Sequence, residues 1–140
     1  MYLLDTDHLT ILQRGGRGAI TLEAKLQSVA ATEIATTVVS YEEQTRGWLS
    51  YMAKARTIEA QVEAYSQLEE HIEIFRNIPV VSFDVQSALV FRNLRKLYPR
   101  LGTMDLKIAA CTIANDAVLL TRNFSDFSKI IELRYEDWTI

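Results

Sequence analysis

What this chain has little of narrows the field before any motif is considered. Cysteine occurs once in 140 residues, at Cys111, which excludes an internal disulfide framework and suits a reducing compartment. Positive charge is outnumbered, with 15 lysines and arginines against 18 acids and a net charge of −3. A general electrostatic attraction to nucleic acid is therefore absent, and any such binding must rest on where individual charges sit. Long apolar runs are missing too: no window approaches the roughly 18 residues of a membrane span. The N-terminus, MYLLDTDHL, has neither the basic start nor the apolar core of a secretory signal. These absences predict a cytoplasmic protein with no membrane association. Histidine is scarce as well. Neither His8 nor His71 has a second histidine at ligand spacing, and no Ser-His-Asp arrangement appears, which argues against zinc or serine-nucleophile hydrolysis.

What is present has the balance of an ordinary globular domain, 49% hydrophobic and 24% charged. The length suffices for one core. Brief β-rich runs, Tyr2-Leu3-Leu4, Ala35 to Val39, Val80-Val81 and Val118 to Leu120, alternate with stretches of helical spacing. Ile58, Val62, Tyr65, Leu68, Ile72 and Phe75 recur at three- and four-residue steps, predicting one apolar stripe along a long helix. Leu106, Ala109, Ala110, Ile113 and Ala114 do the same further on. Gly15, Gly16 and Gly18 break the chain after the first short helix, and Pro79 and Pro99 close two later ones. Strand–helix alternation predicts a parallel sheet with helices on both faces. There is no repeat, low-complexity tract or linker, so residues 1–140 read as a single α/β domain. Cys111, in the apolar stretch from Ile108 to Ile113, reads as a packing residue. His71, among Glu69, Glu70 and Glu73, reads as a surface residue, and Asp84 as a plain N-cap for the helix that follows it.

Open parallel sheets bind ligands at the carboxyl ends of their strands, so the polar residues at those ends carry the functional question. Asp5 and Asp7 end the first strand. Ser40, Glu42 and Glu43 follow the second, and Thr121, Asn123 and Asp126 follow the fourth. Asp105 opens the helix leading into that fourth strand and reaches the same edge from the side. Singly, each acid has an ordinary explanation: Asp7 as a cap for a helix starting at His8, Asp105, Glu42 and Glu43 as first-turn residues, Asp126 as a cap of a short last helix. Together they are harder to explain. Two carboxylates about 4 Å apart repel by roughly 4 kcal/mol at an effective dielectric near 20, so several converging on one pocket call for a cation. Oxygen ligands without a His or Cys cluster suit Mg²⁺ or Mn²⁺ rather than zinc, and that points to phosphoryl chemistry.

Four segments, LLDTD, VVSYEEQTRG, LGTMDLKIAA and LLTRNFSDF, resemble in order and spacing the four motifs of PIN domains, and most closely those of VapC-type toxin ribonucleases. The resemblance runs from Leu3 to Phe127. It implies a PIN-like three-layer fold, with a parallel twisted sheet of four to five strands and helices on both faces. It also implies that Asp5, Glu43, Asp105 and Asp126 are the catalytic, metal-holding acids. Glu43 is preferred to Glu42 because it stands three residues after Ser40 and four before Gly47. Thr6, Thr121 and Asn123 would hold the site by hydrogen bonds. The position of Asp7 is more often a small polar residue in the family, which sets it apart from the other acids.

By the same resemblance the chain is an endoribonuclease using Mg²⁺ or Mn²⁺, the toxin of a toxin–antitoxin pair. Its partners would be an RNA substrate (transfer RNA or another structured RNA), a small antitoxin and a second copy of itself. A stretch of local basic excess, Arg92, Arg95, Lys96, Arg100 and Lys107, offers phosphate contacts or simply a solvated helix face. Arg46, Lys107 and Arg122 are the preferred RNA-phosphate candidates because they lie within motif segments. Trp48, Leu49, Tyr51 and Met52 are either core or an apolar surface for a protein partner.

Other readings are weaker. The DTD after a strand suggests an aspartate-nucleophile phosphatase of the HAD type. That reading wants a small β-branched or hydroxyl residue where Leu9 stands, together with a later Gly-Asp pair and a lysine motif, which are missing. A receiver domain fits less well. A PIN-like module that binds RNA or protein without cutting has no use for four repelling acids. A housekeeping PIN nuclease of RNA maturation stays open at the level of sequence.

Overall fold

The computed structural model describes residues 1–140 throughout. Strand β1 (Tyr2–Leu4) leads into helices α1 (Thr6–Arg14) and α2 (Arg17–Gln27), and a 3₁₀ turn at Ala31–Glu33 into β2 (Ile34–Thr37). Two long helices follow, α3 (Val38–Lys54) and α4 (Ile58–Arg76). Then come β3 (Val80–Val81), α5 (Val85–Leu97), α6 (Thr103–Ala114), β4 (Val118–Leu120), α7 (Phe124–Phe127) and β5 (Tyr135–Glu136). The strands form one sheet in the order β3-β2-β1-β4-β5, and every pairing is parallel.

The period of two along a strand divides the core. Leu3, flanked in register by Ala35 on one side and Leu119 on the other, faces with them a core completed by α5, α6 and α7 through Leu94, Leu106, Ile108, Ala109 and Phe127. Leu4 and Leu120 face the opposite way, onto Leu9, Leu22 and Trp138. Three layers result, with helices on both faces. The fully buried leucines supply the driving force, about 1.5–3 kcal/mol each relative to exposure. Cys111 is buried in the first core, and burial pushes its thiol pKa up. No helix is long and apolar enough to cross a membrane.

Side-chain caps set the helix boundaries. Thr37 accepts from Ser40 N–H at 3.0 Å, Thr57 from Ala60 N–H at 3.1 Å, and Asp84 from Ser87 N–H at 2.9 Å. The Thr37 cap corrects the expected strand from Ala35 to Val39: the strand ends at Thr37, and Val38 and Val39 are helical. Gly15 and Gly16 hold positive φ of 77° and 98° between α1 and α2, which only glycine adopts freely. Gly18 lies inside α2 rather than in the break.

The long helix α4 departs from its sequence pattern. Ile58, Val62, Tyr65 and Ile72 are exposed, the first two at 67% and 65%, while Ala64 and His71 are the residues it buries. Expected at the surface, His71 is 3% exposed. Its Nε2 lies 2.8 Å from the Thr45 hydroxyl, Tyr41 stacks on it at 5.4 Å, and burial lowers its pKa. The physical reason is that α4 packs chiefly on α3. Small Ala64 and the imidazole fit that contact, and the larger apolar residues point away from it. Arg95 is also taken up structurally: its guanidinium donates to the carbonyls of Tyr98, Pro99 and Leu101 at 3.0, 2.9 and 2.6 Å. That closes the turn after α5 and removes it from the phosphate candidates.

Candidate active site

Asp5 follows the last residue of β1 directly and is the N-cap of α1. Asp7 does not cap the helix, as its sequence position suggested; it lies in the first turn. One Asp5 oxygen accepts from Thr6 N–H at 2.8 Å. The other accepts from the Thr121 hydroxyl at 2.7 Å. Thr121 follows β4, the strand paired with β1, so the parallel register itself brings these two residues together. Asp5 is 6% exposed.

The other acids arrive from separate helices. Glu43 is in the second turn of α3, and its carboxylate accepts from the Thr6 hydroxyl at 2.6 Å. Glu42 turns away and pairs with Arg46 at 2.6 Å. Asp105 stands in the first turn of α6. Asn123 donates from Nδ2 to Asp105 at 3.5 Å and to Asp126 at 3.2 Å, and the Ser125 hydroxyl fixes the amide by donating to its oxygen at 3.0 Å. Asp5, Thr6, Glu43, Asp105 and Asn123 line a single open cleft of about 530 Å³. Asp126 is behind Asn123 rather than on the lining.

Asp7 also lines the cleft, but its carboxylate is already engaged. It accepts from Arg122 N–H at 2.9 Å and lies 3.3 Å from the Thr121 hydroxyl. His8 Nδ1 is 2.7 Å away. Trp138 N–H donates to His8 Nε2 at 3.2 Å, so the proton of this fully buried imidazole sits on Nδ1 and points at Asp7. His8 is therefore a structural link between the site and the C-terminal segment.

The charges are unbalanced. Burial, and then the Asp7 charge, push the Asp5 carboxyl up to about 7, against the opposing hydrogen bonds from Thr121 and Thr6. Burial, and then Asp126 and Glu43, raise Asp105 to about 6. No lysine or arginine forms an ion pair with Asp5, Glu43, Asp105 or Asp126; the arginine pairs are with Glu42, Glu73 and Asp116. Asp5, Glu43 and Asp105 around one cleft, with Asp126 beside them through Asn123, offer oxygen donors only with no cation from the chain, a donor set that fits a hard divalent metal. As placed, no three of them stand close enough to share one ion, which is the spacing that mutual repulsion favours.

Of the basic candidates, Arg122 lines the acid cleft. Arg46 and Lys107 border a different depression, beyond Glu42 and beside Phe83. Lys107 lies 5.8 and 5.9 Å from the ring centres of Phe83 and Phe91. Arg14 was missed by the sequence reading, yet it lines the cleft. A basic residue in the last turn of a helix is commonplace, and only the fold of the α1–α2 turn brings it to the site.

Comparison with known proteins gives concordant results. Residues 2–133 match the PIN domain family. Ribonuclease VapC1 of Haemophilus influenzae is 25% identical over 139 residues, covering 99% of this chain and 98% of that protein. Among solved structures, FitAcB from Neisseria gonorrhoeae superposes with a TM-score of 0.75 at 18% identity, covering 98% of this chain and 97% of that one. VapBC2 from Rickettsia felis, bound to a DNA fragment from its promoter, does so at 0.73 and 22%, covering 98% of each chain.

Proposed function

This chain belongs to the PIN domain family, and from that premise we propose that it is a metal-dependent endoribonuclease whose site is built by Asp5, Glu43, Asp105 and Asp126. The observation that carries the reading is the gathering of Asp5, Glu43 and Asp105, from three separate segments, around one cleft at the carboxyl edge of the parallel sheet, with Asp126 next to them through Asn123 and no basic partner. Mg²⁺ or Mn²⁺ suits such oxygen ligands. When bound, the ion supplies charge neutralisation and activation of water for attack on a phosphodiester.

The chain's own residues prepare that chemistry. Thr121 and Thr6 N–H hold both oxygens of Asp5, and the Thr6 hydroxyl holds Glu43. Asn123 orients Asp105 and Asp126 by donating to both. Arg122 and Arg14 flank the acids at the cleft wall and are placed to receive phosphates on either side of the scissile bond. No side-chain nucleophile is needed.

Membership of this family, and the ribonuclease and toxin–antitoxin proteins it resembles, support the fuller role: a cytoplasmic toxin that cuts transfer RNA or another structured RNA and is held by a small antitoxin. An apolar groove of about 500 Å³ between α1 and α4, with Leu9, Leu12, Leu26 and Ile74 in its walls, supports a protein partner. The exposed stripe of Ile58, Val62, Tyr65 and Ile72 supports a further contact, such as a homodimer. Residues 1–140 would act as one domain.

The test incubates purified protein with total RNA and a transfer-RNA pool in Mg²⁺, Mn²⁺ or EDTA, beside Asp5→Asn and Asp105→Asn. Cleavage that needs metal and is lost in both variants is the expected result. Cleavage that survives both substitutions would overturn the site, and no metal effect on cleavage or melting temperature would overturn the enzyme.

A further inference from the structure

The acid cleft does not stop at the acids. Thr6, Thr10, Arg14 and Glu43 border both the cleft and a second depression of about 330 Å³, which continues to Gly47, Trp48 and Tyr51 on α3. A third, of about 520 Å³, again has Arg14, Trp48 and Tyr51 in its walls and ends at Glu70 on α4. Arg14 is common to all three, so a continuous groove leads from the acids past a guanidinium to two aromatic rings.

Three features of that groove serve no purpose of the fold. Arg14 is exposed and has no acidic partner. Trp48 and Tyr51 meet edge-to-face, with centroids 5.8 Å apart at 86°. Tyr51 is 43% exposed and Trp48 is half-buried, so they are not the core residues that their sequence setting allowed. Gly47 lies inside helix α3, where glycine is the least favourable residue after proline. Its backbone is helical, and a Cβ added there would meet nothing within 4 Å. The fold does not require a glycine at 47; what the glycine leaves is open space on the groove wall. In the same wall Gln44, 7% exposed, leaves its Oε1 without a hydrogen-bond partner, which is uncommon for a buried polar atom.

We infer that this groove is a nucleotide subsite: Arg14 takes the phosphate next to the scissile one, and an unpaired base of the RNA stacks on the Trp48–Tyr51 pair in the space that Gly47 leaves open. The inference rests on the nuclease reading for the position of the scissile bond and deepens it by assigning the adjoining nucleotide. Acids, guanidinium and rings follow one another along the groove, matching the order in which a strand presents the scissile phosphate, the next phosphate and a base. Stacking needs a base whose faces are free, so the segment bound is single-stranded. Glu70 closes the far end with negative charge, which limits the site to one or two nucleotides. Since any base has a stacking face, the subsite selects unpaired RNA without selecting its sequence.

The test measures binding of a fluorescein-labelled, mixed-sequence RNA hexamer by anisotropy, in EDTA, to the whole protein. The variants are Trp48→Ala, Tyr51→Ala, Arg14→Ala and Gly47→Leu, and an abasic ribose-phosphate hexamer is the comparison probe. One lost base–aromatic stack weakens binding about 5- to 150-fold. Weakening in that range is expected for the aromatic variants, and similarly for Gly47→Leu, whose Cβ meets nothing within 4 Å and whose side chain extends over the groove wall. The abasic hexamer should bind wild type weakly and be indifferent to the Trp48, Tyr51 and Gly47 substitutions. Gly47→Leu also guards against misfolding as an explanation, since it raises helix propensity and its melting temperature should not fall.

In Mg²⁺, Gly47→Leu should raise KM with kcat unchanged. A hexamer that binds wild type and variants alike, an abasic strand that binds as well as the hexamer, or no RNA binding at all overturns the subsite. An unchanged hexamer affinity would also be the result if the groove takes a peptide instead. The two readings fail separately: loss of the subsite leaves metal-dependent cleavage sensitive to Asp5→Asn, whereas loss of the nuclease leaves stacking without cleavage.

Discussion

Replacing Asp5 by asparagine should make the metal-free protein more stable, and the gain should grow with pH. Asp5 has its carboxyl pushed from 3.8 to about 7 by burial and by Asp7. An acid whose pKa is raised by folding binds its proton more tightly in the native state, so native stability is greatest below about pH 4. It falls as pH rises towards 7 and is level above that. Roughly three pKa units, at about 1.4 kcal/mol each, set an upper limit near 4 kcal/mol at pH 8. The amide keeps one acceptor oxygen and puts an NH2 donor in place of the other, so one of the bonds from Thr121 and Thr6 N–H is lost or reversed, which offsets about 1–2 kcal/mol. A net gain of about 2 kcal/mol remains, which for a chain of this size is a rise of about 6 °C in melting temperature. Urea unfolding of wild type and Asp5→Asn in EDTA, from pH 5 to pH 8, reads it directly. The curves should converge towards pH 5 and separate by pH 8, and added Mg²⁺ should stabilise wild type more than the variant. Asp5→Asn that is equally destabilised at both pH values would refute the reasoning, because it would show that hydrogen bonding rather than buried charge dominates this position.

Other outcomes follow from the same geometry. The metal-dependent cleavage rate should fall as pH drops from 8 to 5.5, since Asp5 near 7 and Asp105 near 6 must lose protons before a cation binds; a flat rate–pH profile counts against these acids as ligands. Asp126→Asn should reduce cleavage at least tenfold less than Asp105→Asn, because Asp126 sits behind Asn123 and off the cleft lining; single-turnover rates of the two variants decide it. Arg95→Ala should destabilise the fold by about 1–3 kcal/mol by removing the donor to the Pro99 and Leu101 carbonyls, with kcat unchanged, as urea midpoints and cleavage together would show. Gly47→Ala should raise stability by about 1 kcal/mol, since its Cβ meets nothing; a lower unfolding midpoint would mean that the helix needs the glycine.

The strands and the acids at their ends were legible because both depend on local signals. Tyr2-Leu3-Leu4 and Val118 to Leu120 are short apolar runs that end at the polar residues Asp5 and Thr121, and the parallel register then places Thr121 beside Asp5 without further information. Strand β5 was not legible: Tyr135–Glu136 contains one apolar residue and becomes a strand only through pairing with Leu119 and Leu120. The stripe on α4 misled because periodicity reports that a helix has an apolar face and says nothing of which face meets α3. The small residue Ala64 and the polar His71 took that contact. His71 read as a surface residue because its sequence neighbours are acidic, while its spatial neighbours are Tyr41, Thr45 and Phe75. Arg14 belongs to no motif, and its place beside the acids follows from a turn of two glycines with positive φ.

The strand order has a consequence for the chain as it is made. β1 is synthesised before the other strands yet lies at the centre of the sheet, and its neighbour β4 is synthesised only after β2 and β3. Asp5 leaves the ribosome long before Thr121, which holds it, and before Trp138, whose N–H fixes the His8 tautomer beside Asp7. A nascent chain stopped short of β4 carries Asp5 and Glu43 but has no wall to set them against. On the nuclease reading, the site is assembled only after β4 has been made and has paired with β1.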